Sequence, residues 1–169
     1  MKKLFIACLL FISMLLVWLW FYTKDENVNG IIVYRELSEI AEKKRNINYC
    51  ELLRGATLGD TAQIREFSTM DCFDGESAYT HGEYIVDLID IIGDDIFIRS
   101  MRNVGIDDWS HVRSYIYAGL SYGKYSRNAG DNKKLECGDL YSFSKKHAKL
   151  IKYFELEDII TMMLKKTNK

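Results

Sequence analysis

The sequence predicts an all-α protein in which one amino-terminal membrane helix precedes a compact domain of about six to eight helices. Three observations predict this class. An uncharged apolar stretch lies near the start, apolar residues recur at helical spacing through most of the remainder, and glycines stand where these stripes end. Proline is absent from all 169 residues, so no helix is interrupted by that residue.

The apolar stretch runs from Leu4 to Tyr22, which is nineteen residues without a charge. At about 1.5 Å per residue it would span roughly 28 Å, close to the hydrocarbon thickness of a bilayer. Trp18 and Trp20 gather with Tyr22 at its far end, where aromatic rings favour the headgroup level. We therefore predict a transmembrane signal-anchor helix over residues 1–22, with membrane contacts at Leu4, Trp18, Trp20 and Tyr22.

A cleaved signal peptide is the alternative, but it needs a shorter apolar core and small residues before the cut. Here the nearest acceptable pair, Val28 and Gly30, lies well beyond the apolar end. Lys2 and Lys3 precede the stretch, whereas acidic residues follow Lys24. Because positive charge stays in the cytoplasm, we expect a single-pass inner-membrane protein whose carboxyl-terminal domain is periplasmic or otherwise extracytoplasmic.

Beyond the anchor, residues 23–30 are polar and are predicted to form a short tether. Residues 31–169 are predicted to form one extracytoplasmic helical domain, long enough for a core of its own. Leu140 to Phe143 could pair as a strand, but no period-two partner is evident. The predicted helices cover residues 31–44, 49–58, 61–67, 79–92, 96–104, 109–122, 142–154 and 155–166.

Two Gly-Asp pairs, Gly59-Asp60 and Gly93-Asp94, lie 34 residues apart between apolar stripes. Glycine tolerates left-handed backbone at a helix end, and aspartate caps the helix that follows. The spacing is typical of stacked helical hairpins, although an irregular bundle would contain the same stops. Either arrangement keeps the domain helical.

Cys50, Cys72 and Cys137 follow the apolar stretch. In an oxidising compartment two of them would pair, and a Cys50–Cys72 disulfide would close a modest loop between adjacent helical units. Spacing alone does not choose among the three possible pairs. Three reduced, buried cysteines are the alternative.

The sequence contains no motif for catalysis, phosphate binding or metal binding. His81 and Glu83 lie beside a loop rich in aspartate, which is more typical of a solvated surface than of a cation site. Cys137 and His147 are the nearest approach to a nucleophile with a base. We expect no cofactor, no metal and no small-molecule substrate. A net charge of −1 also gives no field that would attract nucleic acid.

Tyrosines and lysines in the last third of the chain suggest a surface for a protein partner. Tyr122 and Tyr125 flank the longest predicted loop, and Lys145 and Lys149 lie on a basic helix after it. Tyrosine is common at interfaces, and the lysines would suit an acidic partner or anionic headgroups. A solvated face is the alternative for the lysines.

These expectations favour a membrane-anchored, non-enzymatic domain that binds one protein. Size and topology suggest, by analogy, an immunity protein, that is, an inhibitor of a toxin acting outside the membrane. The second hypothesis is a structural or assembly subunit of a bacterial envelope complex that uses the membrane helix as contact surface. A cryptic enzyme is the third.

Overall fold

The computed structural model describes residues 11–14, 25–125 and 137–167, with the backbone alone for 137–139 and 166–167. The predicted membrane contacts Leu4, Trp18, Trp20 and Tyr22 lie outside these ranges. No helix within them is both long and apolar enough to cross a bilayer. Apart from a helical turn at 11–14, the elements in these ranges are β1 (Glu26–Val28), β2 (Ile31–Val33), α1 (Arg35–Arg45), α2 (Tyr49–Thr57), α3 (Thr61–Ser68), α4 (Gly75–Ile92), α5 (Asp94–Met101), α6 (Ile106–Tyr122), α7 (Cys137–Lys146), α8 (Ala148–Tyr153) and α9 (Glu157–Thr167). The described chain is mostly helical, which confirms the all-α prediction.

A small β-hairpin stands where the sequence predicted a polar tether. β1 pairs antiparallel with β2, and Glu26 lies opposite Val33. Asn29 and Gly30 form the turn, with φ angles of 50° and 99°. Asn-Gly is the preferred dipeptide for a two-residue hairpin turn because both positions need positive φ. The prediction of a short tether over residues 23–30 is therefore corrected for residues 26–30, which form the first strand and the turn of the hairpin.

The first helix consequently begins at Arg35 rather than at Ile31. Along β2 the burial alternates, since Ile31 and Val33 are buried while Ile32 between them is exposed. This period of two is the signature of a strand with one face on the core. The prediction of a helix from Ile31 missed it because the alternation lasts for only three residues.

The corner between α2 and α3 follows the prediction. Gly59 has a φ of 88°, a left-handed conformation that glycine adopts without steric cost. Asp60 then caps α3, because its Oδ1 accepts hydrogen bonds from the backbone N–H groups of Ala62 and Gln63 at 2.9 and 3.1 Å. The predicted glycine stop and aspartate cap are both confirmed here.

The corner between α4 and α5 uses the same dipeptide differently. Gly93 again has a positive φ, 79°, but α5 starts at Asp94 and receives no side-chain cap. Asp94 Oδ2 instead accepts from the backbone N–H of Leu150 in α8, at 3.2 Å. The prediction of Asp94 or Asp95 as the cap of α5 was wrong, because Asp94 already lies within the first turn.

At the centre of the domain α4 crosses α6 at glycines. A Cβ on Gly82 would lie 2.3 Å from the carbonyl oxygen of Tyr115, and one on Gly119 would lie 2.1 Å from the carbonyl oxygen of Gly82. Only glycine allows the two backbones to approach this closely. Buried apolar side chains also line α4 over several sides, so this helix packs against more than one neighbour.

The remaining helices pack around this crossing. α3 lies against α5, where Arg65 Nε donates to the carbonyl oxygen of Ser100 at 3.0 Å. α8 also contacts α5, and α7 contacts α9. The helix predicted over 142–154 is broken at His147, whose backbone departs from helical geometry with ψ of 37°. Leu140 to Phe143 are helical, so the alternative of a strand there is excluded.

Candidate functional site

In the part of the chain that the structure describes, two clusters of side chains form around a buried or nearly buried polar group, and an open groove with a mixed polar and apolar lining lies at the surface. The first group, here called the Asp90 cluster, lies where the α4–α5 corner meets α7 and α8. The second, the His81 pocket, lies among α2, α3, α4 and α6. The Asp90 cluster comprises Asp90, Asp94, Lys124, Tyr125, Lys146 and His147, and the His81 pocket comprises Tyr49, Phe67, Phe73, His81 and Tyr115.

Asp90 is the centre of its cluster, with a side chain that is 13% exposed. Its Oδ1 accepts from Lys146 Nζ at 2.8 Å and from His147 Nε2 at 2.9 Å. Its Oδ2 accepts from Lys124 Nζ at 2.6 Å and from Tyr125 Oη at 2.5 Å. Burial raises the pKa of Asp90, but the hydrogen bonds from these four donors more than offset it and hold the pKa far below its usual range. The carboxylate is therefore ionised at neutral pH.

His147 connects the two aspartates on either side of Gly93. Its Nδ1 lies 2.6 Å from Asp94 Oδ1, while Nε2 faces Asp90. An imidazolium ring donates both hydrogen bonds, whereas a neutral ring would donate only one of them. The ring also packs on Phe143, with centroids 4.5 Å apart. Together these contacts tie the α4–α5 corner to the break between α7 and α8.

The bonding of the cluster is that of a structural connection. A general base needs a lone pair that can reach a substrate, and both ring nitrogens of His147 already face carboxylates. Each oxygen of Asp90 likewise has two donors. Burial lowers the pKa of Lys124, and its bonds to Asp87 and Asp90 more than compensate, so its ammonium is retained. The hypothesis of a Cys137–His147 pair gains no support, since the side chain of Cys137 lies outside the described atoms.

The His81 pocket surrounds a histidine with aromatic rings. The ring of His81 is fully buried, and its centroid lies 4.6 Å from that of Phe73 and 4.8 Å from that of Tyr115. Burial lowers the pKa of His81 to about 3, and the Phe67 backbone opposes this only in part. Tyr49 Oη forms a hydrogen bond with Nδ1 at 2.7 Å, and burial raises the pKa of this phenol and keeps it protonated. Nε2 makes no hydrogen bond of normal geometry with the described residues.

The predicted disulfide between Cys50 and Cys72 is not formed. Both thiols are free and buried, and burial raises the pKa of each. Cys50 Sγ lies 3.3 Å from Ser38 Oγ of α1, and the carbonyl oxygen of Cys72 accepts from Lys44 Nζ at 2.8 Å. The disulfide was predicted from the length of the loop between Cys50 and Cys72, and that length does not determine where the two side chains point.

The structure separates the two tyrosines of the predicted partner surface. Tyr122 is 56% exposed, and its ring stacks on that of Tyr79 with centroids 4.5 Å apart. Tyr125 belongs to the Asp90 cluster instead, and its ring packs against Phe143 with centroids 4.8 Å apart. Tyr125 therefore serves the interior, and only Tyr122 presents a largely open ring.

The two lysines of that predicted surface already have contacts within the chain. Lys145 Nζ lies 4.4 Å from the centroid of the Tyr141 ring, a cation–π contact. Lys149 Nζ pairs with Asp95 at 2.9 Å, and both side chains are mostly exposed. Exposed pairs of this kind contribute little to stability, so these lysines remain accessible to a partner.

A groove elsewhere on the surface brings aromatic, aliphatic and charged side chains together. An open groove of about 580 Å³, here called the Trp109 groove, lies between the end of α5, the start of α6 and the end of α8. Ile106 is 74% exposed at its edge, and the Trp109 ring stacks on Phe154 with centroids 5.6 Å apart. Arg113 supports the floor by donating to the Phe154 carbonyl oxygen at 2.8 Å. The residues that line it are Met101, Arg102, Val104, Ile106, Trp109, Tyr153 and Glu155.

The sequence alone does not reveal this groove, because three separate segments of the chain form it. Arg102 to Gly105 join two helices, Ile106 and Trp109 lie in the first turn of α6, and Tyr153 ends α8. One local signal was present: Ile106 follows Gly105 directly and is an apolar residue at the exposed start of a helix. That signal indicates an exposed apolar residue, but it does not reveal which residues lie beside it.

The acidic side chains of the loop near His81 make contacts within the chain. Asp71 pairs with Arg45, and Asp74 begins α4 in a capping box with Ser77. His81 itself points into the aromatic pocket. Across the described residues no group of three or more histidine, cysteine or acidic side chains could hold a metal ion.

No protein-family model matches this chain, and no curated protein or solved structure shows significant similarity to it. The functional argument therefore rests on the geometry of the clusters and of the Trp109 groove.

Proposed function

We propose that this chain is a membrane-anchored, extracytoplasmic helical domain that binds one protein partner through the Trp109 groove. The groove is the observation that carries the proposal. Tryptophan, tyrosine and arginine dominate the binding energy of protein interfaces, and Trp109, Tyr153 and Arg102 lie together here. The partner expected is a protein segment that inserts an apolar side chain beside Ile106.

The buried clusters support a binding role over an enzymatic one. Donors surround the Asp90 carboxylate, and His81 is enclosed by aromatic rings. Neither group offers a reactive atom to a substrate, which a catalytic site requires. The proposed anchor rests on the uncharged stretch from Leu4 to Tyr22.

The two Gly-Asp corners support a further element of this proposal, namely that the domain contains stacked helical hairpins. Gly59 and Gly93 share a positive φ at equivalent corners, and α3 of one hairpin packs on α5 of the other. Stacked hairpins commonly present an extended binding surface. The different roles of Asp60 and Asp94 make this an imperfect repeat.

Among partners, a toxin that acts outside the membrane is the first candidate, and the chain would then be its immunity protein. A neighbouring gene should encode a secreted toxin, and deletion of this chain should be harmful only when that toxin is present. An isolated gene with a harmless deletion would contradict this role. The alternative is an assembly subunit, for which replacing Leu4 to Tyr22 by an unrelated membrane helix should abolish function.

Site-specific photocrosslinking tests the groove directly. A photoreactive amino acid replaces Ile106 in the full-length chain in native membranes, and Leu58, which is 79% exposed and outside the groove, is the matched control. We expect one partner to crosslink from position 106 and not from position 58. The variant Arg102→Ala should weaken this capture. Equal capture from both positions, or none from position 106, would refute the proposed groove.

A further inference from the structure

We infer that the outer face of the β-hairpin, formed by Ile32 and Tyr34, rests on the headgroup layer of the bilayer that holds the anchor. This inference rests on the proposed membrane anchor and adds to it a contact surface within the folded domain. It commits to lipid, rather than a protein, as the occupant of this face. Three features support it: the short chain between the anchor and the hairpin, the exposure of the two side chains, and the charges around them.

The first step is the length of chain between the predicted anchor and the hairpin. The apolar stretch ends at Tyr22, and Asp25 is only three residues further. Three residues reach at most about 11 Å, even when fully extended. The strand register ends with Glu26 opposite Val33, so Asp25 and Tyr34 are the next residues beyond the pair at the open end of the hairpin. The backbone N–H of Arg35 donates to Asp25 Oδ1 at 3.4 Å, in agreement with this placement.

The second step is which side chains this short connection brings to the membrane. Ile32 is 57% exposed and Tyr34 is 46% exposed. They are two residues apart in extended backbone, so they share the outer face of the strand, while Val33 points to the core. Ile32 lies about 7 Å from Tyr34 along the strand. An aliphatic side chain beside a tyrosine suits the headgroup level, where amphipathic rings concentrate.

The third step is charge, which selects the kind of headgroup. The charged side chains near the open end of the hairpin pair with one another, since Arg54 Nη2 lies 2.6 Å from Glu26 and Arg35 Nη2 lies 2.6 Å from Glu39. Asp25 adds a negative charge. This end therefore has no excess of positive charge to attract anionic lipid. The contact is expected with uncharged, zwitterionic headgroups, unlike any contact made by the lysines of α7 and α8.

Methyl NMR of the full-length chain in phosphatidylcholine nanodiscs tests the contact. Isoleucine δ1 methyl groups are labelled, and lipids that carry a gadolinium chelate on the headgroup are added to the discs. The Ile32 methyl signal should disappear, while that of Ile106, which is 74% exposed, should persist as the matched control. The variant Ile32→Val assigns the signal by removing it.

The outcomes separate this inference from the proposed function. Loss of the Ile32 signal with retention of Ile106 supports the contact. A chain that stays in the disc but keeps its Ile32 signal overturns the contact and leaves the anchor intact. A chain that is not retained by the disc overturns the anchor, and the contact with it. Equal loss at both methyl groups also overturns the contact, because the hairpin would then be no closer to lipid than the groove is.

Discussion

Two buried histidines in this domain are held in opposite ways. His81 and His147 are 0% and 1% exposed, so burial does not distinguish them. His81 lies among aromatic rings and has Tyr49 as its hydrogen-bonding partner. His147 lies between the carboxylates of Asp90 and Asp94. What differs is the charge that surrounds each ring.

The difference shows how one helix creates two environments. α4 contributes His81 near its start and Asp90 near its end. At the start, rings remove water without replacing its polarity, so the neutral imidazole is favoured. At the end, carboxylates on both sides of Gly93 lie within hydrogen-bonding distance of the two ring nitrogens of His147. The first histidine therefore contributes packing, and the second connects the α4–α5 corner to the carboxyl-terminal helices.

Removing the charge of Asp90 should have the largest effect. The variant Asp90→Asn keeps the shape but leaves Lys124, Lys146 and His147 without their shared carboxylate. Removing one partner of a buried ion pair lowers the free energy of unfolding by about 3–5 kcal/mol. Asp94 and Asp87 remain as partial partners, so we expect a loss of about 3 kcal/mol in the free energy of unfolding, measured by urea denaturation at pH 7.

Asp95→Asn is the matched control for this prediction. It neutralises a neighbouring aspartate whose pair with Lys149 is mostly exposed, and stability should change little. If Asp90→Asn costs no more than this control, packing on Phe143 rather than charge holds His147 in place.

The pH dependence of the free energy of unfolding should reveal the contribution of His81. Its pKa is about 3 in the folded chain, against an ordinary value of 6.5 that applies to the unfolded chain. Between these values the unfolded chain binds a proton that the folded chain does not, so stability falls as the pH falls. One such group contributes roughly 1.4 kcal/mol per pH unit. The variant His81→Phe should remove this contribution between pH 6 and pH 4.5.

This pH range also separates the two regions, because the contribution of Asp90 to stability is lost only at lower pH. The pKa of Asp90 is depressed from 3.8, so its contribution is present above about pH 4 and is lost only below it. His111→Phe, which removes an exposed imidazole, is the control. A slope that is identical in wild type and His81→Phe would show that His81 takes up a proton in the folded chain as well.

Local rules predicted most of the fold, and their failures have tertiary causes. The glycine stops at Gly59 and Gly93 were correct, since positive φ depends on the residue itself. The cap at Asp60 was correct too. Asp94 is not the cap because α5 starts at Asp94 itself, and its carboxylate bonds to His147 and Leu150, more than fifty residues away. No local pattern contains that contact.

The predictions missed the hairpin and the candidate sites for different reasons. Asn29-Gly30 carried a sufficient signal for the hairpin, but the apolar residues after it also fitted a helical stripe. The Trp109 groove and the Asp90 cluster arise from residues that are distant in sequence, which spacing cannot reveal. Tyr125 and Lys149 were predicted as one surface, yet Tyr125 bonds to Asp90 and Lys149 pairs with Asp95.

The smallest effect on stability should come from removing the hydrogen bond between the side chains of Tyr49 and His81. The variant Tyr49→Phe keeps the ring contacts with Phe67 and Phe73 but leaves Nδ1 of His81 without its hydrogen-bonding partner. A typical intramolecular hydrogen bond contributes about 1 kcal/mol, and we expect a loss of that size by urea denaturation. Tyr79→Phe, at an exposed ring, should change nothing measurable. A loss near 3 kcal/mol would mean that this bond, rather than aromatic packing, holds His81, and the contrast with His147 would then disappear.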